Sequence, residues 1–160
     1  MSTIKIVITK GNIYDRIFST SAYTARARET LGLPDGIVER MQLTADDRHV
    51  IDPMIDSSAD EIYGDITRYH PGSSVELTEY ENGINYEFSI PVPFNYPTGN
   101  SDKLARSIES YIANRTLQNW YTGIKPDEAN IAAAKAQNDA ITIQTMLTQR
   151  IKPSKFTDYI

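Results

Sequence analysis

Residues 126–153 read PDEANIAAAKAQNDAITIQTMLTQRIKP, and they follow a segment, Ser101–Gly123, built around Trp120. The spacing predicts two helices joined at a proline. In the first, Leu104, Ala105, Ile108, Tyr111, Ile112, Leu117 and Trp120 form a broad apolar surface, with Ser101 as its cap. Gly123 suits a helix end, and Pro126 suits the first turn of the next helix because its missing N–H has no helical partner there. In the second, Ala129, Ala133, Ala136, Ala140, Ile143, Leu147 and Arg150 follow a heptad-like seam of small residues that lets two helices approach closely. Ile131, Ile141 and Met146 lie off that seam, so a second face is also partly apolar. The helix stops at Arg150-Ile151-Lys152-Pro153. The tail to Ile160 carries Phe156, Tyr159 and Ile160, apolar groups that need a docking surface.

Immediately upstream, Val75–Tyr80 and Ile84–Val92 read as two strands linked through Glu81-Asn82-Gly83, whose Asn-Gly pair is a strong hairpin signal. Ile84, Tyr86, Phe88 and Ile90 alternate onto one face. Pro91, Pro93 and Pro97 are expected to stop the pairing and to suit an edge or exit segment.

Before the hairpin, Thr44-Ala45-Asp46-Asp47 is a good helix start. Val50, Ile51, Met54, Ile55, Ala59, Ile62, Tyr63, Ile66 and Tyr69 then keep a three-and-four spacing as far as His70. Pro53 falls inside this stripe and predicts a kink or break near Arg48–Asp52. Further back the pattern weakens. Ser19–Thr44 reads as an extended loop with one helical turn at most, containing the turn-forming run Leu31-Gly32-Leu33-Pro34-Asp35-Gly36. At the start, Ile4–Ile8 predicts a short strand, and Thr9 a cap for a helix carrying Ile13, Tyr14, Ile17 and Phe18.

These elements define an α+β, mainly helical fold. It is an antiparallel bundle of about four helices, with a β-hairpin between the second and third long helical segments. Residues 1–150 form one domain with the hairpin at about 75–92, and residues 151–160 form a tail. With 160 residues, 40% hydrophobic and 23% charged, the chain is long enough to bury a proper core. No apolar run approaches the roughly 20 residues that span a bilayer. Met1-Ser2-Thr3-Ile4-Lys5 lacks the layout of a signal peptide. Cysteine is absent, which excludes disulfides and thiolate metal sites and fits a cytoplasmic origin.

The net charge of −5 is concentrated. Asp46, Asp47, Asp52, Asp56, Asp60, Glu61, Asp65, Glu76, Glu79 and Glu81 face only Arg48 and Arg68 within residues 46–81. Such a block repels phosphate, so duplex binding through it is not expected. It is either a solvated face or a surface that must not adhere to passing nucleic acid. Asp52, Asp56 and Asp60 share a helix face at i, i+4, i+8, where mutual repulsion predicts exposure. Paired carboxylates can hold a cation or do acid/base work, but nothing in the sequence supplies the rest of such a site. His49 and His70 lie at opposite ends of one predicted helix, roughly 30 Å apart, too far to share a metal. No glycine pattern cradles phosphate. No catalytic residue, cofactor or metal is expected. Ten tyrosines against four phenylalanines favour wet interfaces, and Tyr69, Tyr80, Tyr86 and Tyr96 cluster around the hairpin.

The order of elements resembles the head–tail connector proteins of tailed bacteriophages, also called adaptor or neck-ring proteins, most like those of crAss-like and other Bacteroidetes phages. The likeness rests on Ile13-Tyr14-Asp15 with Ser21-Ala22-Tyr23-Thr24, then the acidic helix, then Ile90-Pro91-Val92-Pro93-Phe94-Asn95. Tyr111-Ile112, Asn119-Trp120-Tyr121, Pro126-Asp127-Glu128-Ala129 and Arg150-Ile151-Lys152-Pro153 complete it. It covers most of the chain apart from Leu31–Arg40. The resemblance implies a homo-oligomeric ring, commonly twelvefold, in the virion neck, made in the bacterial cytoplasm. The ring would meet the portal protein and other neck or tail proteins, let double-stranded DNA pass non-specifically, and touch no membrane. Within that picture Asp52, Asp56, Asp60 and Asp65 are candidates for the channel wall. Tyr23, Arg26, Arg28, Lys152, Pro153, Phe156 and Tyr159 are candidates for contacts between subunits or with the portal. A second class of function is a small intracellular module that binds a peptide or protein through the tyrosine-rich hairpin. A metal-dependent hydrolase using the Asp52/Asp56/Asp60 face is more remote.

Overall fold

The computed structural model describes residues 2–29, 32, 35–81 and 83–150. Its elements run β1 (Ser2–Thr9), α1 (Lys10–Glu29), α2 (Asp35–Met41), α3 (Arg48–Tyr69), β2 (Ser74–Tyr80), β3 (Gly83–Val92), α4 (Ser101–Tyr121) and α5 (Pro126–Thr148). The fold is α+β and mainly helical. The hairpin lies between the second and third of the four long helices, where the sequence places it. Short 3-10 turns at Ala45–Asp47 and Thr98–Asn100 lead into α3 and α4.

The hairpin does not stand alone. β1 pairs antiparallel with β3, giving a three-stranded sheet in the order β1-β3-β2. Ile4 faces Ile90, Ile6 faces Phe88 and Ile8 faces Tyr86 across that ladder, all buried on one side. This side meets the buried faces of α1 (Ile13, Ile17), α3 (Ile51, Ile55, Ile62, Ile66) and α4 (Leu104, Ile108, Ile112) in one core. β3 is therefore the central strand, and Pro91 does not stop its pairing, since it faces Thr3 of β1, whereas Pro93 and Pro97 lie in the exit segment after it. Pro91 fits there because β2 ends at Ser74 opposite Ser89, so beyond Ser89 the strand has a neighbour only in β1. Tyr80 pairs with Gly83 to close the hairpin, and Gly83 adopts a φ of 104°, a conformation that glycine takes without steric cost.

Three further expectations are corrected. Ser19–Glu29 is the second half of α1, not a loop, and Asp35–Met41 is a second short helix. The apolar stripe of α1 continues through small residues, Ser21 and Ala25, both buried. The Ser21 hydroxyl donates to the Phe18 carbonyl at 3.0 Å and accepts the Leu43 N–H at 3.1 Å, so a polar residue occupies a core position with its hydrogen bonds met. Pro53, in turn, does not break α3. It sits in the second turn, and the His49 carbonyl that loses its helical partner belongs to an exposed residue that water reaches. Ser101 begins α4 rather than capping it, its hydroxyl donating to the Thr98 carbonyl at 3.0 Å.

The α4–α5 pair forms as its sequence indicates. Pro126 opens α5, and Ala129, Ala136, Ile143 and Leu147 of the seam are buried. Met146 also joins the core, while Ile131 and Ile141 stay in solvent. The Trp120 indole N–H donates to the Met41 carbonyl at 3.2 Å and ties α2 to α4.

Candidate functional site

On the acidic face of α3 several ionisable groups converge. Lys10, the first residue of α1, reaches between Asp52 (3.4 Å) and Asp56 (3.3 Å), and its side chain is largely buried. The Tyr86 hydroxyl of β3 donates to Asp56, and the Lys10 ammonium lies 5.9 Å from the Tyr86 ring centre. Burial, then the hydrogen bond to Asp56, and then the charges of Asp56, Asp52 and Asp60 hold the Tyr86 hydroxyl far above the usual phenol range. Tyr86 is thus a permanent donor here, not an acid.

This modifies the expectation of an exposed carboxylate stack. Asp52 and Asp56 are half-covered and share the single Lys10 ammonium, and Asp60 is exposed. Asp65 lies about 140° further round the helix from Asp60, beside Arg68 at 3.9 Å, and its carbonyl accepts the Gln144 side chain of α5. The four aspartates therefore do not form one surface. Instead Asp56 and Asp60, with Glu76 of β2, are among the residues that line a cleft of about 360 Å³ together with Ala59, Val75 and Leu77. Among the described residues, no three His, Asp or Glu side chains come together to hold a metal ion. His49 and His70 do sit at opposite ends of α3, but His70 is buried, its carbonyl taking the Ser73 hydroxyl at 2.7 Å.

The proposed contact residues separate too. Tyr23 is 76% exposed and Arg26 is exposed, both on α1. Arg28 is part-exposed and pairs within the chain with Glu128 of α5, which is buried. Lys152, Pro153, Phe156 and Tyr159 lie outside the described residues. Of the hairpin tyrosines, Tyr86 and Tyr96 are buried, whereas Tyr69 and Tyr80 are exposed. Tyr69 and Ile141 flank a shallow groove between α3 and α5. Sequence reasoning missed Lys10, because a lysine directly after a strand carries no local sign of its carboxylate partners 42 and 46 residues away (52 − 10 and 56 − 10).

Near Glu128, burial pushes the Tyr121 hydroxyl up to about 12; the Glu128 charge adds to this and the Thr24 hydroxyl opposes it. The folded chain therefore keeps this proton where the unfolded chain, near 10, loses it. Stability is fully present below pH 10 and falls as the pH rises toward 12. Tyr121→Phe is expected to flatten that alkaline decline in urea unfolding midpoints measured between pH 9 and about 12. An unchanged slope would contradict it.

The class this arrangement defines is a mainly helical α+β domain with an acidic cleft at an open sheet edge. The chain matches no protein-family model, no curated protein and no solved structure. No helix among the described residues is long and apolar enough to cross a membrane.

Proposed function

We propose that this protein is a structural component of a tailed-phage virion. It forms a homo-oligomeric ring in the neck between portal and tail, extends the DNA channel, and gives tail components a docking platform. The observation that carries this reading is the set of large apolar side chains left in solvent on separate elements. These are Tyr23 on α1, Phe94 after β3, and Tyr69 with Ile141 across the α3–α5 groove. A ring needs a head-to-tail contact between two different surfaces, and exposed apolar groups on different elements supply them. The order of strand, acidic helix, hairpin and proline-joined helices agrees with the connector resemblance. Of the channel-wall candidates Asp52, Asp56, Asp60 and Asp65, the exposed Asp60 would present acid to passing DNA, which slides past without adhesion.

Electron microscopy of the purified protein, alone and with a candidate portal, tests this. Rings with a central hole in either sample are the expected result. Ile141→Lys is expected to abolish them while leaving the helical circular dichroism unchanged, since Ile141 is 57% exposed. A persistent monomer in both samples would sink the ring. It would favour the second reading, a protein- or peptide-binding module, for which the acidic cleft beside β2 is the specific support.

A further inference from the structure

The sheet order leaves β2 as an edge strand, with one row of its backbone N–H and C=O groups unpaired among the described residues. Edges of this kind are normally guarded by lysine, proline or a bulge. β2 reads SVELTEY and has neither lysine nor proline. Its guards are acids, Glu76 and Glu79, which repel an acidic strand and admit a basic one. On the core side of the edge the cover is incomplete: Leu77 is 62% exposed and opens onto the cleft formed with Ala59, Val75, Asp56 and Asp60. The site thus asks for an extended segment with an apolar side chain beside Leu77 and cations near the acids of both faces, Asp60 and Glu79 on the core side and Glu76 on the open side.

We infer that the occupant is the C-terminal segment Lys152–Ile160 of this chain, added to β2 as a fourth strand. Residues 150–160 hold Arg150, Lys152 and Lys155 against the single acid Asp158, opposite in sign to the cleft rim. Their alternation also matches. Phe156 takes the parity of Leu77 and enters the cleft, while Lys155 takes the parity of Glu76 on the open side of the sheet. Nine extended residues span about 30 Å, longer than β2 itself, which has seven residues. Main-chain hydrogen bonds supply the affinity, and Phe156 with the lysines supplies the specificity. The pairing does not depend on ring formation, so it fails or stands separately from the proposed function.

The chain has no cysteine, which makes disulfide trapping clean. Neighbouring strands hold facing Cα atoms about 5 Å apart, within disulfide reach. In the full-length protein, Leu77→Cys with Phe156→Cys is expected to cross-link under mild oxidation at least about tenfold faster than Tyr23→Cys with Phe156→Cys. Tyr23 is the control because it is exposed on α1, about 20 Å along the helix from Lys10. A bridge within one chain, or between separately purified Leu77→Cys and Phe156→Cys proteins after mixing, establishes the docking and tells own copy from neighbour. Adding Glu76→Lys is expected to slow it severalfold. A rate equal to the control overturns the proposal. So does hydrogen exchange in which β2 amides stay equally protected in Phe156→Ser, which would assign the edge to another strand such as β1 of a second copy.

Discussion

Arg28→Ala is expected to destabilise the fold by about 3 kcal/mol, because it leaves the Glu128 carboxylate buried without its partner. Glu128 is 7% exposed, in the first turn of α5, and Arg28 lies in the last turn of α1. Glu128 has lost most of its solvation while Arg28 keeps part of its own, and removing the arginine leaves the buried carboxylate uncompensated. The helix N-terminus offsets part of that cost, since its free N–H groups favour an anion. The remedy distinguishes a desolvation effect from lost packing. Glu128→Gln in the Arg28→Ala background removes the stranded charge and is expected to recover more than half of the loss. A double-mutant cycle read by urea unfolding checks this. Additive effects of the two substitutions would show that the pair contributes nothing as a pair.

The second large effect is at Lys10. Lys10→Met keeps the apolar stem and removes the charge between Asp52 and Asp56. A fully buried pair would cost about 3–5 kcal/mol to break, but these carboxylates are about half exposed, so about 2 kcal/mol is expected. Part of that loss is repulsion between carboxylates one helical turn apart, and salt screens it. The deficit should therefore shrink when urea unfolding is repeated at 1 M rather than 0.1 M sodium chloride. Asp52→Asn in the same background should also restore stability, since it leaves Asp56 as acceptor for the Tyr86 hydroxyl. A deficit indifferent to both would place the role of Lys10 in its stem packing alone.

Lys10 and Arg28 have the same lesson for reading such chains. Each looks like an ordinary surface cation in sequence, and each is half of a contact closed by the fold, Arg28 across 100 residues. Asp60, Glu76, Tyr23 and Arg26, by contrast, are exposed.

What the sequence determined by itself was whatever near neighbours decide. The three-and-four stripe of α3, the proline-opened α5 with its alanine seam, and the Asn-Gly hairpin all formed where their residues stand. Each depends on spacings of a few residues and on backbone preferences local to one turn. Only the tertiary structure decided the partner of β1, the length of α1, and which acids meet water. β1 has no sequence mark that selects β3 over β2. The second half of α1 carries its stripe through Ser21, whose hydroxyl donates to the Phe18 carbonyl of its own helix and accepts the Leu43 N–H from 22 residues away. The acidic block divides because Lys10 and Tyr86 come to one side of α3 and α5 to the other. These outcomes rest on contacts between distant segments, whose energies come from shared desolvation and satisfied hydrogen bonds, and local periodicity contains no record of them.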